Sequence, residues 1–356
     1  MELKRYGYND HFAARFAELE LPPHLIPARV TAVFKHVMRV VSADGEGLAR
    51  PKTSSFREVD RIGRPAIGDF VAIESHPGDT SLIYAVLERN SLFVRDDPDP
   101  DAGQQVVAAN FDYCFLVSSA NDDFNMNRLE RYLTVAWNSG AMPVIVLTKA
   151  DLTAQLDHYR SELEAAGFGV PFYAVDSISG NGLDELRSLL KPEQTIVLLG
   201  SSGVGKSSLV NALAGEDRMR TGGIREDDAR GRHTTTHREL HLLPNGVIVI
   251  DTPGMRGLGV GTASEGLDET FSDIDELGEY CRFSDCTHED EPGCAVQAAL
   301  QDGTLAHQHY NNWQKLKREI AFNERKQNAQ LQRQEKQKWK TMSKMSKQIS
   351  KNKHRM

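Results

Sequence analysis

The chain has 356 residues, a net charge of -8, 40% apolar and 26% charged side chains, an ordinary globular balance that points to two or three domains and excludes a largely disordered chain. No apolar run nears the ~20 residues of a membrane-spanning helix, and residues 1–10 lack the apolar stretch of a secretory signal, so a monomeric cytoplasmic protein with no membrane partner is expected.

After an N-terminal extension (1–27), short β-rich runs occupy 28–95: Ala28 to Phe34, Met38 to Val41, Asp69 to Glu74 and Leu82 to Leu87, separated by Gly, Pro and Asp turns. Regular short strands without helical periodicity predict a small β-barrel of the oligonucleotide-binding kind (OB-like). Ten Lys and Arg, among them Lys35, Arg39, Arg57, Arg61 and Arg64, face eight acidic residues there; such barrels hold RNA, or merely support a neighbouring domain. The acidic, Pro-rich Asp96 to Gly103 marks a boundary. From 104 to 275 apolar runs alternate with amphipathic helices. The runs are Tyr113 to Ser118, Pro143 to Leu147, Val170 to Val175, Thr195 to Leu199 and Val247 to Ile250; the helices are Asn127 to Trp137, Leu156 to Ala166, Leu183 to Leu190 and Lys206 to Leu213. This predicts a doubly wound α/β domain with a mostly parallel sheet, whose chemistry sits in the loops at the strands' carboxyl ends.

The run Thr195 to Leu199 leads into Gly200-Ser201-Ser202-Gly203-Val204-Gly205-Lys206-Ser207 and a helix from Ser208, a complete phosphate loop. Its backbone N–H groups would cradle phosphates, with Lys206 on the β and γ phosphates and Ser207 on Mg²⁺. Asp251-Thr252-Pro253-Gly254 ends a later strand, as expected of a carboxylate that holds Mg²⁺ through water and a glycine that offers its N–H to a γ-phosphate. Between them Gly231-Arg232-His233-Thr234-Thr235-Thr236 lies in a polar stretch suited to a switch loop; Thr235 is the favoured Mg²⁺ ligand, though spacing does not separate the three hydroxyls. Thr148-Lys149-Ala150-Asp151 reads the base: a carboxylate at Asp151 accepts from N1–H and N2–H₂ of guanine, a donor pair adenine lacks. GTP and GDP are therefore the expected ligands.

Within 276–356, Cys281-x₄-Cys286-x-His288-x₅-Cys294 offers three sulfurs and an imidazole, a set suited to one tetrahedral, structural Zn²⁺, with His241 or His307 as substitute ligands and reduced surface cysteines as the alternative. From Lys315 onward fourteen Lys and Arg face three Glu, a local +11 that leaves -19 on the first 314 residues. The spacing in Trp313 to Phe322 predicts a docked helix passing into a basic arm that seeks nucleic-acid phosphate; a solvated tail is the alternative.

In the order of its motifs the sequence resembles the circularly permuted small-ribosomal-subunit biogenesis GTPases of bacteria: Thr148 to Asp151 precedes Gly200 to Ser207, and Asp251 to Gly254 comes last. The resemblance implies a barrel, a permuted P-loop GTPase domain and a zinc module, acting late in maturation of the small (30S) subunit on its 16S rRNA, with hydrolysis stimulated by that subunit. Two departures stand out. Thr148 replaces the usual Asn, removing an amide that braces the phosphate loop, so weaker affinity with retained guanine selectivity is expected. Asp176-Ser177-Ile178 stands where the family has Ser-Ala in the base-stacking loop, leaving Ser177 as the base contact. Met255 follows Gly254 where ordinary relatives often carry a water-orienting Gln, which turns attention to His233, a water-orienting group or an RNA-contacting loop histidine. The rival reading is an RNA-binding assembly factor in which guanine nucleotide is mainly structural.

Overall fold

The computed structural model describes the chain except residues 1, 36, 97–103, 122, 217–237, 252–259, 262 and 327–356. Helices α1 (Glu2–Arg5) and α2 (Asp10–Glu18) precede five strands: β1 (Leu25–Val33), β2 (Met38–Ser42), β3 (Gly45–Pro51), β4 (Phe70–Glu74) and β5 (Thr80–Val86). They pair in the order β1-β2-β3-β5-β4, and β4 returns to β1 to close a barrel around Ala28, Val30, Val40, Ala49, Val71, Ile73 and Ile83. Strand β3, Gly-Glu-Gly-Leu-Ala-Arg-Pro, has neither alternation nor β-branched residues, so periodicity passes over it. What makes it a strand is its antiparallel partner β2 on one side and parallel β5 on the other.

Two further strands, β6 (Leu92–Asp96) and β7 (Gln104–Ala109), pair antiparallel as a separate ribbon. The α/β domain then runs β8 (Tyr113–Ser119), α3 (Met126–Asn138), β9 (Met142–Thr148), α4 (Leu156–Ala165), β10 (Phe172–Ala174), α5 (Leu183–Leu189), β11 (Thr195–Leu199), α6 (Lys206–Ala214), β12 (Arg238–Leu242) and β13 (Ile248–Asp251). Its strands lie in the order β10-β9-β8-β11-β13-β12, parallel except for β12. Because helices cover both faces, successive side chains enter different cores: Leu116, Ile145 and Val197 on one face, Val117, Val146 and Leu198 on the other. That is why these strands read as continuous apolar runs.

The barrel is welded to this sheet. Strand β1 pairs antiparallel with β12, so eleven strands form one continuous sheet. Ala28 and Val30 face the barrel core, and Arg29 between them points the other way. The guanidinium of Arg29, 1% exposed, donates to the Gly68 carbonyl at 3.2 Å, the Tyr6 carbonyl at 2.5 Å, the Asn110 carbonyl at 2.8 Å and the Thr195 hydroxyl at 3.0 Å. Burial lowers its pKa to about 10, with Asp112 and Asp69 opposing, so it stays charged at neutral pH. A Cβ at Gly68 would stand 2.0 Å from the Ala109 carbonyl, so only glycine lets the barrel approach this closely.

Helices α7 (Ser264–Thr270), α8 (Ser272–Gly278) and α9 (Ala295–Asp302) follow, then α10, described from 307 to 326. Tyr310, Trp313, Leu316 and Ile320 are buried at helical spacing, giving the docked helix the sequence predicts. Its polar anchors are Arg131 to Glu319 (2.8 and 2.6 Å) and His309, held between Glu130 (2.7 Å) and Asp273 (3.1 Å). Burial alone would lower the His309 pKa, but the two carboxylates outweigh it and raise it from 6.5 to about 9. A raised folded-state pKa contributes stability that is fully present below about pH 6.5 and is lost as pH climbs through about 9, at most about 3 kcal/mol. Urea midpoints of the wild-type chain should fall across that window relative to those of His309→Gln, whose profile should be flatter.

Candidate nucleotide site and metal centre

The phosphate loop leaves β11, buried along its whole length, and enters α6. A Cβ on Gly200 would meet the Val117 carbonyl at 2.4 Å, so the loop can bend over β8 only because that residue is glycine. Lys206 donates to the carbonyls of Gly200 (2.7 Å) and Ser201 (2.6 Å), which holds its ammonium within the curve of the loop. Ser207 and Ser208 follow in the first turn of α6, half-buried, while Ser202 and Gly203 face solvent. The side chain of Val204 is buried and pins the loop to the core.

Thr148 ends β9, and after it Lys149 takes a left-handed conformation (φ 59°) that turns the chain into one 3₁₀ turn, Ala150–Leu152. The turn presents Asp151 to solvent. A second loop lies against it: the Ala150 N–H donates to the Val175 carbonyl at 3.3 Å. The Asp176 carboxylate accepts from the N–H of Ile178 (2.8 Å) and of Ser179 (3.0 Å), so Asp176 shapes this loop from within. The Ser177 hydroxyl is buried without a partner among the described residues, and Ile178 and Leu152 are 92% and 72% exposed. A buried hydroxyl flanked by two exposed apolar side chains suits the edge and faces of a base.

The expectation that Thr148 leaves the phosphate loop unbraced needs correction. The Thr148 hydroxyl lies against the Val204 carbonyl, and 3.2 Å from the Ser118 carbonyl, so its single proton ties the base-reading turn to the phosphate loop. A hydroxyl takes over from the missing amide because β9 brings Thr148 close enough for a shorter side chain to reach. A hydroxylic residue at the strand end was the signal for this in the sequence.

Of the other expected site residues, His233, Thr235 and Gly254 lie outside the described residues. Asp251 closes β13, beside the phosphate-loop strand β11. Hydroxyl and carboxylate oxygens at Ser207 and Asp251 are the donor chemistry that suits a hard cation such as Mg²⁺.

The sulfur atoms of Cys281, Cys286 and Cys294 and a ring nitrogen of His288 lie within 4.8 Å of one another, with 3.8 Å between Cys281 and Cys294 sulfurs and 3.5 Å from Cys281 to His288 Nδ1. Zinc–sulfur bonds of ~2.3 Å in a tetrahedron put sulfurs about 3.8 Å apart, so the cluster fits Zn²⁺. Burial, and then the charge of Lys317, hold His288 below its ordinary pKa and so favour the neutral imidazole that binds metal. The carbonyl of His288 accepts from Gln297 and Tyr310, both at 2.6 Å, which ties the knuckle to α9 and α10. His241 on β12 and His307 on α10 are not in this cluster.

The sequence profile of the RsgA GTPase family matches residues 86–261. A small ribosomal subunit biogenesis GTPase of Listeria monocytogenes (serovar 1/2a) is 54% identical over 97% of this chain and 96% of its own length. The chain belongs to the RsgA GTPase family. It is accordingly a GTPase with a circularly permuted P-loop domain. The like-named protein of Opitutus terrae is 40% identical over 96% of this chain and 95% of its own. The crystal structure of YjeQ from Thermotoga maritima superposes with a TM-score of 0.62 at 26% identity, covering 83% of this chain and 99% of that one. An ABC transporter profile also matches residues 183–355, a span that contains the phosphate loop and leaves out the base-reading turn at 148–151.

Thr148→Val keeps the shape of the side chain and removes the tie. Its affinity for GDP and GTP should fall about tenfold with the preference over ATP intact, whereas Asp151→Asn should collapse that preference by about a hundredfold. Equilibrium binding of fluorescent guanine and adenine nucleotides checks both.

Proposed function

We propose that this GTPase acts in late maturation of the small (30S) ribosomal subunit, binding the particle and its 16S rRNA with GTP and releasing it after hydrolysis. The observation that carries this is the 54% identity, over 97% of the chain, to a protein named for small ribosomal subunit biogenesis. The chemistry of the chain is consistent with it. Lys35, Arg57, Arg61 and Arg64 are exposed on the barrel, and the basic arm extends beyond 326, so cations for RNA phosphates stand at both ends of the chain. The units are read as an extension (1–27), barrel (28–95), permuted GTPase domain (104–275) and zinc module with basic arm (276–356) in a monomer working in the cytoplasm.

In this reading the residues Gly200 to Ser208 wrap the phosphates, and Lys206 exchanges its loop carbonyls for β and γ oxygens. Asp151 and Ser177 read the guanine edge, while Lys149, Ala150 and Thr148 fix the turn that carries Asp151. Bound Mg²⁺, held by Ser207 and Thr235 with Asp251 through water, would neutralise charge building on the β and γ oxygens. Gly254 donates its N–H to the γ-phosphate. His233 orients the attacking water in place of the Gln that Met255 displaces. Cys281, Cys286, His288 and Cys294 hold one structural Zn²⁺ that fixes the knuckle on α10, about 26 residues of chain beyond the Asp251 to Gly254 loop.

GTP turnover measured alone and with isolated small or large subunits tests this. Stimulation by the small subunit only, weakening as salt rises and lost in His233→Ala with GTP binding retained, is expected. Equal turnover with either subunit and without them would contradict it.

A further inference from the structure

Strand β12 follows residues 217–237 and would be the edge of the GTPase sheet, but the barrel covers it. In the ladder with β13, Glu239 stands opposite Asp251; in the ladder with β1, Glu239 stands opposite Ala32. A barrel residue, the second residue of β12 and the first residue of the Asp251 to Gly254 motif therefore occupy one row across three strands. Such a row resists slippage, because a one-residue shift would turn every side chain to the other face.

The barrel adds a charged tether to this row. Arg39 Nη1 on β2 donates to Glu239 Oε1 at 2.6 Å, and its Nε lies 3.1 Å from Glu46. Arg39 also lies over the ring of Phe34, 5.6 Å from its centroid. Both partners of the Arg39–Glu239 pair are only about a third exposed (35% and 37%), so solvent screens it partially. Arg39 is thereby separated from the other barrel cations: Lys35, Arg57, Arg61 and Arg64 face solvent, whereas Arg39 is spent within the protein.

We propose that Arg39 and Glu239 are positioning residues through which RNA held on the barrel sets the placement of β12, and with it the rate of GTP hydrolysis. The proposal rests on stimulation by the small subunit, and the experiment separates the two. With purified small subunits and the full chain, Arg39→Gln and Glu239→Gln should each lower the stimulated kcat about five- to tenfold, leaving basal turnover and the KM for the subunit within about twofold. Combining the two should cost no more than either alone, and the exchanged pair Arg39→Glu with Glu239→Arg should regain at least about half of the stimulation. A raised KM for the subunit at unchanged kcat would overturn the proposal, making Arg39 an RNA contact, as would additive losses or a basal rate that falls together with the melting temperature. No stimulation of the wild-type chain would instead remove the functional reading itself.

Discussion

The parallel pairing of β11 with β8 on one side and β13 on the other is the constraint on which the rest of the structure depends. A phosphate loop must leave the carboxyl end of a central strand, with the base-reading turns to one side and the metal-holding, γ-phosphate-sensing segments to the other. Permutation changes which of these the chain meets first and leaves the neighbours unchanged. The base-reading strands β9 and β10 come early, β11 in the middle and β13 last, yet the loops converge as if the chain had been cut elsewhere. The bond from Thr148 to the Val204 carbonyl shows how close that convergence is, joining segments 56 residues apart.

Permutation also decides what the switch-bearing segments touch. With the Asp251 motif last, the chain passes in few residues to α7, α8 and the zinc knuckle. There α10 closes back on the domain: Asn323 donates to the Gly261 carbonyl at 3.0 Å, and Glu319 holds Arg131. On the opposite flank β12 is clasped by the barrel through β1 and Arg39. Buried Arg29, with acceptors on the barrel, the N-terminal segment and the foot of β11, makes barrel and phosphate-loop strand one mechanical body. Modules presenting cations to RNA are thus bonded directly to the strands that flank the nucleotide.

Much of this was legible in the sequence because strands buried on both faces write continuous apolar runs and the phosphate loop needs glycine and lysine at fixed spacing. The cysteine cluster was legible for the same reason: tetrahedral ligation needs four donors within a short reach, and His288 takes its place at φ 65° through the turn that presents it. What escaped was whatever depends on long-range partners. Strand β3 exists because of β2 and β5, and β12 because β1 and β13 lie on either side of it. Arg39 read as one more basic residue of an RNA-binding barrel until Glu239, 200 residues away, was found beside it. The role of Thr148 was misread for the same reason, since the closeness of Val204 is set by the packing of β9 against β8 and of β8 against β11.

The central claim is that nucleotide state and particle binding are coupled through these bonded modules. The affinity of the small subunit for the chain, measured with GDP and with a non-hydrolysable GTP analogue at matched salt, tests it most directly. The account predicts binding at least about tenfold tighter with the analogue. Equal affinity in the two states would contradict it.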